Sequence, residues 1–359
     1  MARLRRSNCA APGIARRRRG RGFQYSDPAG ERIDDPEVLE RIAELAIPPA
    51  WREVWICMDP HGHLQATGLD AASRKQYLYH EGWRAHRDRL KFDAMLAFGE
   101  ALPGLRRRIR RELALGQTGA RKRLTVKDLT QERVLACAVR LLDLGFFRIG
   151  SEDYAERNES YGLTTMLREH VTVLDDELVF DFPAKSGQRR VQEIGDPDAL
   201  AVVAALKRRR GGSQLLAYRG AEGWVEVHAE DVNAHIKRHT GGDFTAKDFR
   251  TWNATVLAAV ALGAVAEDQR RSRTARERAV SGAIKTVAAY LGNTPAVARA
   301  SYVDPRVIDR FHAGVTISDT LTSLPSHGPD LADARIRARI ERAVLELLAD
   351  AGRPARRAA

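Results

Sequence analysis

Apolar residues recur at helical spacing through most of the chain after residue 90. They form a broad stripe between Asp128 and Leu144, and the run Asn253–Ala266 is almost wholly apolar. The same spacing, interrupted by turn residues, predicts further helices at 92–100, 102–115, 198–210, 227–237, 279–290 and 332–349. The pattern therefore predicts a large, mainly α-helical region.

A short stretch inside this region alternates apolar and polar residues instead. Strand patterns at 170–174, 177–182 and 189–194 are separated by turn residues at 175–176 and 183–187. These features predict a small three-stranded sheet with Lys185 at the tip of a hairpin. An exposed lysine in such a loop is usually only solvated, so its position alone does not assign it a function.

The first quarter of the chain has a different pattern, in which short strands lie between turns. Asp35 and Pro36 predict the start of a short helix, and strands are predicted at 54–58, 64–68 and 74–79. Residues 83–89 are highly charged and are predicted to connect two domains. The sequence therefore predicts a small β-rich domain before the helical one.

The last of these predicted strands combines basic, amide and phenol side chains. Arg74 suits a phosphate, Gln76 can read an adenine edge, and Tyr77 and Tyr79 can stack or form hydrogen bonds. The strand is therefore a candidate DNA-binding strand. A solvent-facing amphipathic strand would show the same alternation, and this alternative stays open.

The charge of the chain indicates a polyanionic partner. The sequence of 359 residues has 59 Lys and Arg against 47 Asp and Glu, a net charge of +12. Such an excess favours nucleic acid or an anionic membrane surface. No apolar run has the roughly 18 residues of a membrane span, and no apolar stretch follows the basic N-terminus as in a secretory signal.

The cysteines indicate neither a disulfide framework nor a metal site. There are three, and Cys9, Cys57 and Cys137 are far apart in the sequence. We therefore expect a cytoplasmic protein. Residues 1–22 contain eight arginines and no acidic residue, so we expect a disordered arm that either binds phosphates or is merely solvated.

Two arginines stand among apolar residues. Arg148 lies in the segment Phe146–Gly150, and Arg250 lies between Phe249 and Trp252 at the start of the apolar helix. Charges are rarely buried without a partner. We therefore do not expect these arginines to be merely solvated, and a buried structural ion pair is the alternative to a functional role.

A tyrosine follows a sharp turn late in the chain. Gly292 and Pro295 interrupt the helical pattern, and Thr294 and Pro295 can begin a short helix that ends near Tyr302. Pro305 stops this segment. The Tyr302 phenol is thus carried on a short segment that could move as a unit, although a tyrosine near a helix end most often packs in the core.

Taken together, these residues resemble the type IB DNA topoisomerases of the compact poxvirus and bacterial kind. The resemblance covers residues 30–305 and includes Gln65–Gly68 and Arg74–Tyr77 in the N-terminal part. In the helical part its motifs are Phe-Arg-Ile-Gly, Tyr-Gly-Leu-Thr-Thr, Lys-Asp-Phe-Arg-Thr and Gly-Asn-Thr-Pro. The matching residues, in order, are Arg148, Lys185, Arg250, Asn293 and Tyr302.

The resemblance implies an α+β fold with a small β-rich N-terminal DNA-binding domain and a larger helical catalytic domain that contains a small three-stranded sheet. We assign 1–22 to the basic arm, 23–90 to the N-terminal domain, 91–305 to the catalytic domain and 306–359 to a helical extension. It further implies relaxation of supercoiled duplex DNA without ATP or an obligatory divalent metal. One chain would suffice to encircle the DNA, so we expect a monomer on DNA in the cytoplasm, associated with the nucleoid.

The resemblance also implies a role for each candidate residue. Tyr302 would be the nucleophile, Arg148 and Arg250 the phosphate clamp, and Lys185 the general acid. The implied DNA contacts are Gln76, Tyr77 and Tyr79 in the N-terminal domain and Tyr154 and Lys247 in the catalytic domain.

One position departs from the poxvirus and eukaryotic pattern. Asn293 stands where those proteins have histidine, whereas the bacterial branch has asparagine there. Asparagine can donate a hydrogen bond to a phosphoryl oxygen, but it does not exchange a proton near neutral pH. A proton-relay role is therefore in doubt at this position, while a steering role is not.

Two other functions stay open. A tyrosine site-specific recombinase uses a similar set of Arg, Lys and Tyr residues, although it would usually show further histidines and a helical N-terminal domain. A duplex-binding protein without activity would explain the charge, but it would not need Tyr302 or Lys185. We therefore favour a topoisomerase.

Overall fold

Two structural units follow each other along the chain, residues 1–93 and residues 94–359. The computed structural model describes residues 3–115, 124–152, 155, 159–267, 272–325 and 330–349. The sequence placed the boundary between the two domains at residue 90. The α+β class, with a β-rich first unit and a mainly helical second unit, is confirmed.

The first unit is built on one antiparallel sheet with the strand order β2-β1-β3-β4-β5. Its strands are β1 (Ile14–Arg19), β2 (Gly22–Ser26), β3 (Arg52–Ile56), β4 (Leu64–Leu69) and β5 (Lys75–Tyr79), and its helix is α1 (Pro36–Glu44).

Helix α1 covers one face of this sheet. Pro36 occupies its first turn, and the Asp35 carboxylate accepts a hydrogen bond from the Glu37 N–H at 2.9 Å. Ile42 of the helix packs in a core with apolar residues of β1, β3 and β4. The predicted helix start is therefore confirmed.

The prediction that residues 1–22 are disordered is wrong for β1, which pairs with both β2 and β3. The basic composition hid this strand because arginine can bury its stem and keep its charge solvated. Arg16 lies over the Phe23 ring at 4.2 Å and donates hydrogen bonds to the carbonyls of Ile47, Pro48 and Trp51. The neighbouring Arg17 is exposed.

The second unit consists mainly of helices. They are α2 (Glu81–Ala114, which begins in the first unit), α3 (Gln131–Gly145), α4 (Pro197–Lys207), α5 (Ala229–Thr240), α6 (Ala246–Gly263), α7 (Arg273–Leu291), α8 (Pro295–Ser301), α9 (Pro305–His312), α10 (Ser318–Thr322) and α11 (Ala334–Ala349).

Helix α2 replaces what the sequence predicted as a connector and two short helices. Pro103 lies inside it, where a proline costs about 3 kcal/mol. Phe98, Leu102 and Leu105 are fully buried on both sides of the proline, and their burial offsets this cost. Gly99 lies so close to Trp252 that a Cβ atom there would be 2.6 Å from the indole ring.

The predicted three-stranded sheet is confirmed. It consists of β6 (Val171–Val173), β7 (Leu178–Ala184) and β8 (Gln188–Ile194) in the order β6-β7-β8. The turn Lys185–Gly187 joins β7 to β8, so Lys185 lies at the tip of the hairpin and is exposed. A second small sheet, β9 (Ala217–Arg219) with β10 (Trp224–Glu226), was not predicted because each strand has only three residues.

Helix α11 is joined to α2 and α3 by a buried charge cluster. Arg106 donates to both Asp143 and Glu341, with distances of 2.6–2.9 Å, and Arg337 donates to the same two carboxylates. Burial alone would raise the pKa of Asp143, but Arg106 and Arg337 outweigh it and hold this pKa well below its usual range. The predicted C-terminal extension is therefore part of the second unit.

No helix among the described segments is both long and apolar enough to cross a membrane.

Replacing Glu341 by alanine should destabilise the second unit by about 3–5 kcal/mol, because Arg106 and Arg337 would keep buried charges without this carboxylate. The Trp252 indole N–H would also lose its acceptor. Equilibrium unfolding in urea, followed by tryptophan fluorescence, measures the change. Glu346→Ala on the exposed face of α11 is the matched control and should change stability by less than about 0.5 kcal/mol. Equal effects of the two variants would contradict the importance of the cluster.

Candidate active site

Arg148 follows a sharp turn at the end of α3. Phe146 caps this helix in the left-handed region, with φ of 54°, and the chain then reverses so that Phe147 is buried and Arg148 is only half-buried. A bulky residue in this conformation is strained unless its surroundings hold it. The Phe146 carbonyl accepts a hydrogen bond from Arg250, and this bond stabilises the strained turn.

The Tyr-Gly-Leu-Thr-Thr motif supports the segment that carries Arg148. The Leu163 N–H donates to the Arg148 carbonyl at 2.8 Å, and the next residue pairs with Ile149 in the same way. Gly150 has φ of +105°, and a Cβ atom at Gly162 would lie 2.4 Å from its backbone. The two glycines therefore allow the two segments to approach closely.

Arg250 lies in the first turns of α6 and is almost fully buried, with 4% of its surface exposed. Its guanidinium donates to the Phe146 carbonyl and, at 2.9 Å, to the Leu291 carbonyl. It thus connects the end of α3 to the end of α7. No buried carboxylate pairs with it among the contacts of the described residues, so the ion-pair alternative does not apply to Arg250.

Tyr302 caps the short helix α8, as the sequence predicted. The Thr294 hydroxyl accepts from the Val297 N–H at 3.3 Å, and Pro295 is the first helical residue. The Thr255 hydroxyl of α6 donates to the Tyr302 carbonyl at 3.2 Å. Tyr302 is 9% exposed, and the Arg250 guanidinium lies 5.2 Å from the centre of its ring.

The charges around Tyr302 favour its phenolate. Burial alone would raise the pKa of Tyr302, but Arg250, Arg148 and, more weakly, Lys247 outweigh it, and the pKa is lowered. Burial and the nearby Arg148 lower the pKa of Arg250 to about 10. Because that value is still far above 7, Arg250 remains charged at neutral pH.

Asn293 is oriented by Arg148. A guanidinium can only donate, so the Arg148 side chain fixes the Asn293 oxygen as the atom that faces it. The amide nitrogen of Asn293 is buried and has no hydrogen-bond partner within the described parts of the chain. Two N–H groups are therefore left to donate to a ligand.

Lys185 lines the same cavity as Arg148 and Arg250. Tyr302 is not part of the wall of this cavity, although it contacts Arg250. The structure thus brings the lysine and both arginines to one cavity and places the phenol against one of these arginines.

Arg190 also lines this cavity, although nothing in the sequence pattern indicated it. It lies on β8 and donates to the carbonyls of Ala289 and Tyr290 at the end of α7. Its contacts join the hairpin of Lys185 to the turn before Asn293. Gly292 there has φ of +60°, and a Cβ atom would lie 2.5 Å from the Arg190 guanidinium. A run of two arginines in a strand gave no sign of this contact.

The candidate DNA-binding strand β5 has two different faces. Tyr77 and Tyr79 are exposed on one face and stack with 6.2 Å between ring centres. Gln76 points to the opposite face, where its amide donates to Asp70 at 2.9 Å. Arg74 also pairs with Asp70. The structure therefore brings the two tyrosines together but does not place Gln76 beside them.

The face of the two tyrosines extends across the sheet. Tyr77 lies opposite Thr67 of β4, Thr67 opposite Trp55 of β3, and Trp55 opposite Ala15 of β1. Arg17 lies two residues after Ala15 and therefore shares its face. We call this surface the aromatic-basic face; its side chains are Arg17, Trp55, Lys75, Tyr77 and Tyr79.

The other two predicted DNA contacts are Lys247 and Tyr154. Lys247 is exposed in the first turn of α6 and lowers the pKa of Tyr302. Tyr154 lies outside the described residues.

The arrangement suits a tetrahedral anion. A guanidinium has five N–H donors, and Arg250 uses only some of them for the two carbonyls and the phenol. Its Nε–H and the amide of Asn293 are buried donors without protein partners in the described chain. Buried donors of this kind cost free energy unless a ligand satisfies them. A phosphodiester would satisfy them and would lie beside the phenol.

Comparisons with known proteins match segments in both units of the chain. The family model of the eukaryotic DNA topoisomerase I catalytic core matches residues 80–315, and that of the bacterial DNA topoisomerase IB N-terminal domain matches residues 22–70. DNA topoisomerase 1B of Acanthamoeba polyphaga mimivirus is 30% identical over 299 residues, which cover 81% of this chain and 85% of that protein. DNA topoisomerase 1 of Candidozyma auris is 28% identical over 127 residues, 35% of this chain and 16% of that protein.

Replacing Lys247 by alanine should raise the pKa of Tyr302, because it removes one of the positive charges that stabilise the phenolate. Titration of ¹³Cζ-labelled tyrosine by NMR measures this shift, with the signal assigned through Tyr302→Phe. Lys285→Ala, an exposed lysine of α7, is the control and should leave the pKa unchanged. A fall in the pKa of Tyr302, or the same rise in both variants, would contradict the electrostatic role of Lys247.

Proposed function

The chain belongs to the type IB DNA topoisomerase family, and we propose that five of its side chains form the catalytic site. Like the family, it relaxes supercoiled duplex DNA by transient cleavage of one strand through a 3′-phosphotyrosyl intermediate. The proposed catalytic residues are Arg148, Lys185, Arg250, Asn293 and Tyr302.

The contact between Arg250 and Tyr302 carries this proposal. It places a charged guanidinium with unused donors beside the candidate nucleophile. Arg148 is close enough to lower the pKa of both residues and holds Asn293 as well. A phosphate bound to these donors would therefore present its phosphorus to the phenol.

In the cleavage step, the Tyr302 oxygen attacks the phosphorus and forms a phosphotyrosyl bond to the 3′ end. Arg148 and Arg250 donate to the non-bridging oxygens and stabilise the charge that develops in the transition state. Donors that are fixed in advance are each worth roughly 3–4 kcal/mol in such a step. The carbonyls of Phe146 and Leu291 fix Arg250 before DNA binds.

The same step breaks the bond between phosphorus and the 5′ oxygen, which needs a proton to leave as a hydroxyl. Lys185 is the proposed donor, and its position on an exposed hairpin tip allows it to reach the DNA. Religation is the reverse reaction: the 5′ hydroxyl attacks the phosphotyrosyl bond and its proton returns to Lys185. The covalent bond conserves the ester energy between the two steps.

We propose that this cycle needs neither ATP nor a divalent metal ion. The phosphate charge is neutralised by guanidinium groups, and the ester energy is retained, so neither requirement arises from the chemistry. We also propose that one chain acts alone, because all five residues come from the same unit of one polypeptide. A location in the cytoplasm, on the nucleoid, stays a prediction.

Two alternatives remain distinguishable by experiment. A recombinase would exchange strands between defined sites, and a binding protein without activity would bind DNA but not cut it. Family membership favours the topoisomerase over the recombinase, and the Arg250–Tyr302 contact favours an enzyme over a protein that only binds DNA.

Tyr302→Phe should abolish relaxation of supercoiled plasmid, assayed with chelator and without ATP, and should leave DNA binding intact. Tyr218→Phe, on β9, is the matched control and should relax DNA normally.

Lys185→Ala should slow single-turnover cleavage by about 10²–10⁴-fold, the usual contribution of a general acid. A 5′-bridging sulfur in the substrate leaves without a proton because thiols are far more acidic than alcohols, so this substrate should restore the rate.

Relaxation by Tyr302→Phe would refute the assignment of the nucleophile. If the sulfur substrate failed to rescue Lys185→Ala, the lysine would be a binding residue and not the proton donor. Site-dependent strand exchange would identify a recombinase instead.

We further propose that the aromatic-basic face of the first unit binds the DNA backbone. Its tyrosines and tryptophan present aromatic surface, and Arg17 and Lys75 present positive charge on the same side of the sheet. The opposite side is covered by α1 and is not free for DNA. This extends the proposed contact from β5 to β1, which the sequence analysis had treated as disordered.

Arg17→Ala should remove about one phosphate contact. The slope of log K against log salt should therefore become less steep by roughly 0.9. Arg18→Ala is the matched control, because Arg18 is the next residue of β1 and lies on the other face. Fluorescence anisotropy with a labelled duplex at several salt concentrations measures both slopes. Equal slopes for Arg17→Ala and Arg18→Ala would argue against this face.

A further inference from the structure

Three side chains of the kind that bind metal ions meet in the second unit, in a cluster that the catalytic steps do not use. Glu112 comes from the last turn of α2, and His235 and His239 come from α5. Their ligand atoms all lie within 4.8 Å of one another. The Nε2 atom of His235 is 2.8 Å from one carboxylate oxygen of Glu112, and the Nε2 atom of His239 is 2.8 Å from the other.

The local sequence explains why these groups converge. His235 and His239 are four residues apart, so they project from the same face of α5. This spacing on a helix is one that zinc proteins use for two of their ligands. Arg108, one turn before Glu112, donates to the His239 carbonyl at 2.9 Å and keeps α2 beside α5.

Hydrogen bonding does not account for the whole cluster. The Nε2 atom of His239 is buried, and its direction does not allow a hydrogen bond to Glu112 despite the short distance. His235 is buried almost completely, with 1% of its side chain exposed. A cation between the three groups would use the lone pairs of both imidazoles and the charge of the carboxylate.

We propose that Glu112, His235 and His239 bind one Zn²⁺ ion or a similar first-row transition-metal ion. Two imidazoles and one carboxylate suit Zn²⁺, Co²⁺ and Ni²⁺, whereas Mg²⁺ and Ca²⁺ prefer sites made of oxygen atoms alone. Tetrahedral Zn²⁺ would complete its coordination with a water molecule, since Glu112 and His239 are partly exposed.

The proposed ion would stabilise the fold and would not take part in the reaction. It would fasten the end of α2 to α5, and α5 supports the start of α6, where the Asn233 side chain accepts from the Ala246 N–H at 3.0 Å. Helix α6 then carries Arg250. This role is compatible with DNA relaxation in the presence of a chelator.

We expect a micromolar dissociation constant for Zn²⁺, which is weaker binding than in a zinc finger. A metal-binding histidine usually donates its second ring N–H to an acceptor, which raises its basicity. The Nδ1 atom of His235 has no such partner within the described parts of the chain.

The test uses the full chain without a histidine tag, stripped of metal by a chelator. Isothermal titration with Zn²⁺ and the visible absorption of bound Co²⁺ should both give one equivalent, and saturating Zn²⁺ should raise Tm by roughly 5 °C. His239→Ala and Glu112→Gln should each weaken Zn²⁺ binding at least tenfold and abolish the rise in Tm. His312→Ala removes a histidine near Glu277, outside the cluster, and should bind Zn²⁺ as the unmodified chain does.

Circular dichroism establishes that each variant is folded, and Glu112→Gln preserves the shape of the side chain if His239→Ala is not folded. Equal Zn²⁺ affinity in Glu112→Gln and the unmodified chain would overturn the proposal. So would the lack of any saturable Zn²⁺ binding, or binding of Mg²⁺ with the same affinity as Zn²⁺.

Discussion

The proposed active site depends on the hydrogen bonds of the buried Arg250 guanidinium. A charge this far from water is costly unless its donors are used, and here carbonyls from the ends of α3 and α7 take two of them. Those same helix ends carry Arg148 and Asn293, so one side chain positions the other two. The phenol of Tyr302 lies against it as well. The two carbonyls therefore stabilise the buried charge of Arg250 and also orient its remaining N–H donors for the proposed reaction.

Three residues that the sequence singled out lie close together in the structure, whereas several elements around them differ from the prediction. Arg148, Arg250 and Tyr302 each stand in a local pattern that sequence can show, namely a charge among aromatics or a turn before a short helix. Arg190 could not be found in that way, because its partners are backbone carbonyls about a hundred residues away. Helix α2 was divided wrongly for a similar reason. Local propensity stops a helix at Pro103, and only the burial of Phe98, Leu102 and Leu105 shows why it continues.

The arginine-rich N-terminus shows where composition misleads. Four consecutive arginines suggest a solvated tail, but in a strand they alternate between two faces. Arg16 lies over Phe23 and donates hydrogen bonds to three carbonyls, while Arg17 is exposed on the same face of the sheet as Trp55. A run of one residue type thus contributes both to the sheet and to the charge of its outer face. Net charge describes the whole chain, and only the pairing of strands shows which charges share a surface.

In the proposed site, Asn293 can donate hydrogen bonds but cannot transfer a proton as a histidine could. Arg148 only donates, so the Asn293 oxygen must face it, and the buried amide N–H groups are left without a partner in the described parts of the chain. This residue can therefore steer a phosphoryl oxygen but cannot carry a proton. In the proposed mechanism Lys185 therefore transfers the proton to the 5′ oxygen, and the exposed hairpin tip that carries it needs a fixed base. Arg190 provides that base by tying β8 to the turn before Asn293. Arg190 thus links the hairpin of Lys185, the proposed acid, to the turn before Asn293, the proposed phosphate donor.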